Sequence, residues 1–149
     1  MIRPALPSDI DTLLHLEQVC FHGDRLTRMD FRRALRSSRS LVLVETEGDR
    51  VRGYALLRTQ ASRAHLQSLA VDPAARRSGI GRALLLAVEQ AAEARGAVHM
   101  RLETREDNPE AFALYAAMGY RRHSTLLGYY EDQSDAHSML KTLAVSPAA

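Results

Sequence analysis

The sequence contains a single cysteine, Cys20, and no tryptophan. One cysteine forms neither an intramolecular disulfide nor a cysteine metal cluster, which is typical of a protein from a reducing compartment. Because Cys20 lies beside Phe21 at the end of an apolar helical pattern, we interpret it as a small buried hydrophobe rather than a nucleophile. The six histidines show neither H-x-x-x-H nor H-E-x-x-H spacing, so we predict no metal site.

Long apolar runs are absent as well. No stretch is long enough to span a membrane and no signal peptide is recognisable, so we expect a cytoplasmic protein without a membrane partner. The net charge of +2 is too small to indicate direct nucleic-acid binding, despite a pI near 9.0. With 149 residues, 46% of them hydrophobic, the chain predicts one domain that buries roughly 70% of its unfolded surface. We assign this domain to residues 1–143 and predict a loose tail at residues 144–149.

The apolar pattern predicts strands and helices that alternate along one α/β unit. Ser8 is expected to cap a first helix that runs to Cys20, and Thr27 a second helix. Two apolar runs that flank Gly48 predict a hairpin. The other predicted elements are a strand at 2–5, a strand at 64–71, a helix at 81–95, a strand at 98–104, a helix at 109–118 and two C-terminal strands. The segment 64–104 should form a right-handed parallel crossover, whose ligands bind beyond the carboxyl ends of the strands.

The most informative segment is a basic, glycine-bearing loop that leads from this strand into the helix. It consists of Arg76, Arg77, Ser78, Gly79, Ile80, Gly81 and Arg82. Unpaired backbone N–H groups and the helix dipole attract anions to such a loop, and the glycines let an anion approach the backbone. No acidic residue occurs between Asp72 and Glu89. The pattern predicts a cradle for a diphosphate, with an ordinary tight turn as the alternative.

Two other phosphate-binding loops fit this segment less well. A Walker A loop needs Gly-Lys-Ser/Thr, and the chain has Arg82 and Ala83 after the second glycine. A dinucleotide fingerprint needs Gly or Ala where Leu84 stands, and an acidic residue about 20 residues later. Glu103 lies near that distance, so this second exclusion is the weaker one.

Several motifs, taken in order, resemble the GNAT acetyltransferase superfamily and most closely its ribosomal-protein-alanine (RimI-type) branch. Residues 76–81 resemble its Arg/Gln-x-x-Gly-x-Gly/Ala signature, and residues 102–105, 108–120 and 129–132 resemble its later motifs. The likeness extends over nearly the whole chain. It implies an α/β, single-domain GNAT fold, with a mixed central sheet, splayed parallel strands and flanking helices. It also implies an enzyme that uses acetyl-coenzyme A to acetylate an amine by direct transfer, without a metal.

The resemblance also implies how acetyl-coenzyme A is held. The amides of residues 76–82 would bind its diphosphate, and backbone groups of Leu69, Ala70 and Val71 its acetyl and pantetheine amides. Asn108 is expected to touch the pantetheine or diphosphate arm, although its position as a helix cap before Pro109 alone explains an asparagine.

Acetylation of an amine needs a base, because a protonated amine has no lone pair, and an acid for the departing thiolate. Glu103 faces away from the apolar side of its predicted strand and matches the base proposed for the RimI-type branch. An ion pair with Arg101 or Arg105 is the alternative. Tyr115 lies in an apolar helical stripe typical of a core residue. The family has a tyrosine there beside the cofactor sulfur, so we interpret Tyr115 as the acid.

The residues that bind the acceptor are less well defined. Tyr129, Tyr130 and Glu131, with Asp132 and Asp135, form an aromatic and acidic patch that corresponds to the acceptor hairpin of RimI-type enzymes. Its acids suit basic peptide side chains, and a solvated strand connection is the alternative.

We take a protein N-terminal α-amine as the first choice of acceptor. At pH 7 about a tenth of such an amine is neutral, against less than about one part in a thousand of a lysine. Small amines such as polyamines or amino acids are the second choice, and a non-catalytic module that binds an acyl-coenzyme A is a third interpretation. We expect a monomer or a homodimer.

One segment departs from the RimI-type pattern, which has Pro-Trp after its Cys-Phe. The chain has His-Gly-Asp-Arg at residues 22–25 instead, so we expect a more polar groove and a different acceptor. His65 and His99 lie in the central predicted strands within reach of the cleft, and neither is assigned a role.

Overall fold

The computed structural model describes residues 1–143, so the tail predicted at residues 144–149 lies outside the described residues. The strands are β1 Ile2–Pro4, β2 Ser40–Glu47, β3 Arg50–Gln60, β4 Arg63–Val71, β5 His99–Arg105, β6 Arg121–Leu126 and β7 Ala136–Thr142. The helices are α1 Ile10–Cys20, α2 Arg28–Arg36, α3 Ile80–Ala94 and α4 Pro109–Ala117. Short 3-10 turns at Pro7–Asp9 and Pro73–Ala75 precede α1 and α3. The predicted α/β architecture is confirmed.

A seven-stranded sheet in the order β1-β2-β3-β4-β5-β7-β6 organises the chain. Neighbouring strands are antiparallel except for β4 and β5, which are parallel. The parallel pairing runs from Arg63 opposite His99 to His65 opposite Arg101 and then stops. Beyond it, within the described part of the chain, residues 66–71 have a strand partner on their β3 side alone. The predicted splay of the parallel pair is therefore present.

A bulge in β4 lies just beyond the last β4–β5 pair. Leu56 is opposite Ser68 and Leu57 is opposite Leu66, which leaves Gln67 as the extra residue. A bulge bends its strand and increases the local twist. The bend at Gln67 accounts for the separation of β4 from β5.

The helices cover the two faces of the sheet unequally. On the face that we call the α3 face, α3 and α4 enclose the larger core, which contains Leu84 and Met100. On the opposite face, the α1 face, α1 and α2 pack over β2, β3 and β4 around Leu13, Phe31 and Tyr54. On the α1 face of β5 and β6, His99, Arg101 and Arg121 are exposed, so the helices leave this part of the sheet uncovered.

Local signals set the starts of α2 and α4. Thr27 accepts a 3.2 Å hydrogen bond from the N–H of Asp30, and the Asp30 carboxylate accepts the N–H of Thr27 at 2.7 Å. This reciprocal capping box confirms the predicted cap. Asn108 accepts the N–H of Ala111 at 3.1 Å, which confirms the cap predicted for α4.

The cap predicted at Ser8 is wrong. The chain forms the 3-10 turn Pro7–Asp9 before α1 begins at Ile10. The carboxylate of Asp9, and not the hydroxyl of Ser8, accepts a backbone N–H, that of Leu6 at 2.7 Å. Arg3 holds the same carboxylate at 2.8 Å, so a contact from the first strand outweighs the local preference of a serine.

Candidate active site

The connection between β4 and α3 exposes a set of backbone donors. Arg77 and Gly79 have left-handed backbones, with φ of 66° and 80°. A Cβ added at Gly79 would meet nothing within 4 Å, so the backbone there is open to a ligand. The N–H groups of residues 76–82 donate to no backbone group of the described chain. Together with the exposed guanidinium groups of Arg76 and Arg82, these donors favour an anion at the start of α3.

The edge of β4 lies beside this loop. Leu69, Ala70 and Val71 pair with β3 and, within residues 1–143, face no strand on their other side. The carbonyl of Val71 accepts hydrogen bonds from the Cys20 thiol and the Arg76 guanidinium, both at 3.3 Å. Burial raises the pKa of the Cys20 thiol, which suits a packed side chain rather than a nucleophile.

Glu103 projects from β5 onto the α1 face at the point where the parallel strands separate. Its side chain is 9% exposed. Oε1 lies 2.7 Å from Nε2 of His65, and Oε2 accepts a 3.1 Å hydrogen bond from Nε of Arg101. The Tyr129 hydroxyl donates to Oε1 at 3.4 Å. Because His65 and Arg101 are directly opposite each other in the parallel register, both reach the same carboxylate.

Two opposing effects act on the pKa of Glu103. Burial raises it, whereas the hydrogen bond and charge of His65 and the guanidinium of Arg101 lower it. The lowering effects outweigh burial, and the pKa of Glu103 lies below its ordinary value. Glu103 is therefore ionised at neutral pH and accepts a proton from a bound group or a water.

His65 is the residue of this site to which the sequence analysis assigned no role. Its ring contacts Glu103 across a separation of 38 residues. The alternation of side chains along β4 was the available signal, because it places His65 opposite the buried neighbours Ala64 and Leu66. Alternation identifies the face of the sheet to which a side chain points, but it does not identify the strand that lies next to it.

Tyr115 lies on α4, on the α3 face. The residue is 8% exposed, and its ring packs edge-on against Tyr120 with the ring centroids 5.9 Å apart. Within the described residues, the polar side-chain atoms that are sealed from solvent without a partner belong to Thr104 and His137, so the Tyr115 hydroxyl keeps access to solvent. Burial, with a smaller effect from Tyr130, raises the pKa of Tyr115 above its ordinary value. The phenol is thus protonated and available as a donor.

The connection between β6 and β7 carries the predicted acceptor residues. The rings of Tyr129 and Tyr130 meet edge to face, 5.0 Å between centroids, and the Arg105 guanidinium lies 4.6 Å from the centroid of Tyr130. Burial chiefly raises the pKa of Tyr130 to about 12. The N–H of Glu131 donates to Asp24 of the α1–α2 loop at 3.2 Å. The two loops therefore touch and border a groove that leads to the candidate base.

Some of the acidic side chains predicted to receive a basic acceptor are engaged within the protein. Asp132 forms an ion pair with Arg105, and Asp135 accepts a backbone N–H of its own hairpin at 2.8 Å. The Arg105 guanidinium therefore contacts the β6–β7 connection and not Glu103. Of the two ion pairs weighed for Glu103, the one with Arg101 is present.

The structure places the predicted residues on the elements that flank the point where β4 and β5 part. Glu103 and Tyr129 meet on the α1 face, Tyr115 lies on the α3 face, and the loop at 76–82 follows the end of β4. Asn108 is exposed at the start of α4. Within residues 1–143, no three His, Cys, Asp or Glu residues group so that they could hold a metal ion. None of the helices in this part of the chain has the length and apolar character needed to cross a membrane.

Comparisons with known proteins relate this chain to a family of enzymes. Residues 10–120 match the acetyltransferase (GNAT) family. The chain is 34% identical over 109 residues to the [ribosomal protein bS18]-alanine N-acetyltransferase of Salmonella typhimurium, which covers 72% of this chain and 74% of that protein. The sequence alignment with the enzyme of the same name from Escherichia coli spans 57% of that protein.

Two solved structures extend the likeness over the described fold. The ribosomal-protein-S18-alanine N-acetyltransferase of Escherichia coli superposes with a TM-score of 0.88 at 28% identity, covering 98% of this chain and 95% of that chain. Naa20 of Chaetomium thermophilum, solved with a bisubstrate analogue, superposes with a TM-score of 0.83 at 26% identity, covering 96% and 86%.

Proposed function

This chain belongs to the GNAT acetyltransferase family, and from that premise we propose that it transfers the acetyl group of acetyl-coenzyme A to a protein N-terminal α-amine. The likeness to the bS18-alanine N-acetyltransferases and to Naa20 supports this class of acceptor. The observation that carries the proposal is the position of Glu103. It is an ionised, largely buried carboxylate where the parallel strands part, in the groove that Tyr129 also lines.

The residues near the opening fit acetyl-coenzyme A. The unpaired N–H groups of residues 76–82 suit its diphosphate, because several donors converge at a helix N-terminus. The backbone edge of Leu69, Ala70 and Val71 suits the amides of the pantetheine arm, and we assign the exposed N-cap of α4, Asn108, to the same arm. When bound, acetyl-coenzyme A supplies a thioester carbonyl that an amine attacks.

Glu103 removes a proton from the acceptor ammonium, directly or through a water. The amine nitrogen then forms its bond to the acetyl carbon as the carbon–sulfur bond breaks, and the Tyr115 phenol gives its proton to the departing sulfur. The proton that the nitrogen loses as the amide forms restores the phenol through solvent. His65 holds the carboxylate through the 2.7 Å contact and offers a route by which the proton leaves for solvent. A single carboxylate suits an α-amine, whose pKa of about 8 leaves more of it neutral than a lysine.

The aromatic hairpin supplies the surroundings of the acceptor. Tyr129 contacts Glu103, while Tyr130 is fixed by the stacked guanidinium of Arg105. Glu131 reaches the α1–α2 loop, where it closes the rim of the groove. Together these residues would hold an N-terminus with its amine against the base.

The test is mass spectrometry of peptides incubated with the protein and acetyl-coenzyme A. The mixture contains peptides with free α-amines and varied first residues, N-blocked lysine peptides and small amines. We expect acetylation of free N-termini. Labelling of lysines or small amines alone would discard the N-terminal acceptor and keep the acetyl transfer. No labelling at all would contradict the proposal and favour a module that binds the cofactor without turnover.

Two substitutions test the cofactor loop and the acid. Gly81→Glu puts an anion into the proposed diphosphate cradle and should abolish binding of coenzyme A in calorimetry. Gly81→Ala is the matched control and should bind, because a Cβ there meets only ordinary contacts at 3.7 Å. Tyr115→Phe should keep coenzyme A binding and lose acetylation by about 10²–10⁴-fold. An unchanged rate would refute the acid role of Tyr115.

A further inference from the structure

The α1 face beyond the candidate base is rich in basic side chains. Residues directly opposite each other on neighbouring strands point to the same face. The register therefore aligns Arg58, His65 and Arg101 in one row across β3, β4 and β5. Arg101 is opposite Leu140 of β7, and Leu140 is opposite Arg121 of the edge strand β6, so Arg121 belongs to the same row. This row lies two residues from Glu103 along β5.

A second row lies farther from the candidate base. Arg63 and His99 are opposite each other there, two residues beyond the first row, which corresponds to roughly 7 Å of strand. The groove that begins at Glu103 and Tyr129 passes Arg58 and opens onto this surface. The two rows are thus continuous with the groove of the acceptor.

Three arginines of this surface are not neutralised by the protein, whereas Arg101 and His65 contact the carboxylate of Glu103. Within the described residues, Arg58, Arg63 and Arg121 form no ion pair. Among the residues that line the groove and the surface, the carboxylates are Glu103 and Asp30, and Asp30 is held by the capping box of α2. These three arginines therefore lack counter-charges and favour a ligand that brings them.

We propose that this surface binds acidic side chains of the acceptor polypeptide, downstream of its N-terminal amine, an inference that rests on the proposed function. An extended peptide advances about 3.3 Å per residue, and its alternate side chains point the same way. With its amine at Glu103, the third residue lies over the first row and the fifth over the second. Arginine forks bind carboxylates through paired N–H groups. The preferred acceptors carry Asp or Glu at their third and fifth positions.

Steady-state acetylation of three peptides tests the proposal. The peptides share their first two residues and carry Glu, Ala or Lys at positions 3 and 5. Wild-type protein should show kcat/KM about tenfold higher for the Glu peptide than for the Lys peptide, mainly through KM. The difference should shrink in about 0.5 M NaCl, because salt screens exposed charges.

Charge reversal on the surface should reverse the preference. The double variant Arg58→Glu with Arg63→Glu should favour the Lys peptide. Arg122→Glu is the matched control, because Arg122 is exposed but lies opposite the buried Met139 and so points to the other face. It should keep the preference for Glu. The ratio of kcat/KM for the Glu and Lys peptides is measured on one protein, so a general loss of activity in the variant cancels. The single variant Arg63→Glu, at the exposed start of β4, should change this ratio less but in the same direction.

Each result bears on the proposal. Equal kcat/KM for the three peptides, or a double variant that keeps the wild-type preference, would overturn it and leave N-terminal acetylation intact. Failure of the wild-type protein to acetylate any peptide would overturn the proposed function together with it. A short RNA that inhibits all three peptides alike, without a charge preference among them, would assign the surface to nucleic acid and overturn the proposal.

Discussion

Removing the imidazole of His65 should change the acid side of the pH–rate profile. The Glu103 side chain is 9% exposed and His65 is its closest partner, so in His65→Leu burial dominates and the pKa of Glu103 rises. A hydrogen bond to a charged group contributes about 1.5–3 kcal/mol. Loss of this hydrogen bond should therefore raise the pKa of Glu103 toward the value that burial favours.

The assay is kcat/KM for a peptide with a free α-amine, measured from about pH 5 to 9. The amine has a pKa of about 8, so the wild-type logarithm should rise with a slope of one below that pH. In His65→Leu, Glu103 itself becomes protonated below its raised pKa. Two groups, the amine and Glu103, must then lose a proton before reaction, so the slope should approach two. His65→Gln, whose amide donates to the carboxylate, should restore much of the wild-type profile. His15→Gln on the exposed side of α1 is the control and should change nothing.

The same contact should appear in the stability of the fold. Because the folded-state pKa of Glu103 is lowered, its ionisation stabilises the protein above the ordinary value of 4.5. This contribution is lost as the pH falls through the lowered pKa. Superimposable pH–rate profiles for wild type and His65→Leu would refute the reasoning. Full activity in Glu103→Gln, where we expect a loss of about 10²–10⁴-fold, would refute the base itself.

Three further substitutions test the packing around the opening. Thr104 Oγ1 is buried and has no partner within residues 1–143, so Thr104→Val should raise the free energy of unfolding by about 1 kcal/mol in urea titrations, and a decrease would contradict this. A Cβ on Gly53 would lie 2.9 Å from the carbonyl oxygen of Ala70 and close to Leu84 of α3. Gly53→Ala should therefore cost about 1–3 kcal/mol and weaken coenzyme A binding in calorimetry, and an unchanged protein would argue against this contact. Burial raises the pKa of Glu17 more than its hydrogen bonds lower it, so stability should fall as the pH rises from 4.5 through the raised value. Glu17→Gln should flatten that slope in chemical unfolding, and an unaltered slope would assign it to another group.

Local signals predicted the elements that carry the site. The capping residues Thr27 and Asn108 act as expected, because each side chain accepts the backbone N–H of the residue three positions later. Gly96 follows the predicted end of this helix at residue 95, and it has the left-handed φ of 88° that is typical of a residue just past a helix. Alternation along β5 correctly separated Glu103 from its buried neighbours. These signals act within a few residues, so the sequence carries them directly.

Contacts between strands that are far apart in the sequence could not be predicted from local signals. The bulge at Gln67 exists because β4 pairs with β3, and the contact of His65 with Glu103 exists because β4 pairs with β5. A period of two gives the face of each strand but not its neighbour or its register. Arg105 likewise finds its partner Asp132 across 27 residues of chain. The sequence therefore singled out Glu103 as the candidate base, whereas its contact with His65 and the basic rows beside it depend on the register of the sheet.

The parting of β4 and β5 explains how one sheet serves two reactants. Glu103 approaches from the α1 face, whereas Tyr115 and the start of α3 lie on the α3 face. In a continuous sheet, backbone hydrogen bonds would separate the base from the acid. In the proposed reaction, the end of the parallel pairing at His65 lets an amine that enters from one face meet a thioester that enters from the other. Both reactants then occupy the opening at once, which favours direct transfer over a covalent acetyl-enzyme, and the single thiol, Cys20, is occupied with the carbonyl of Val71.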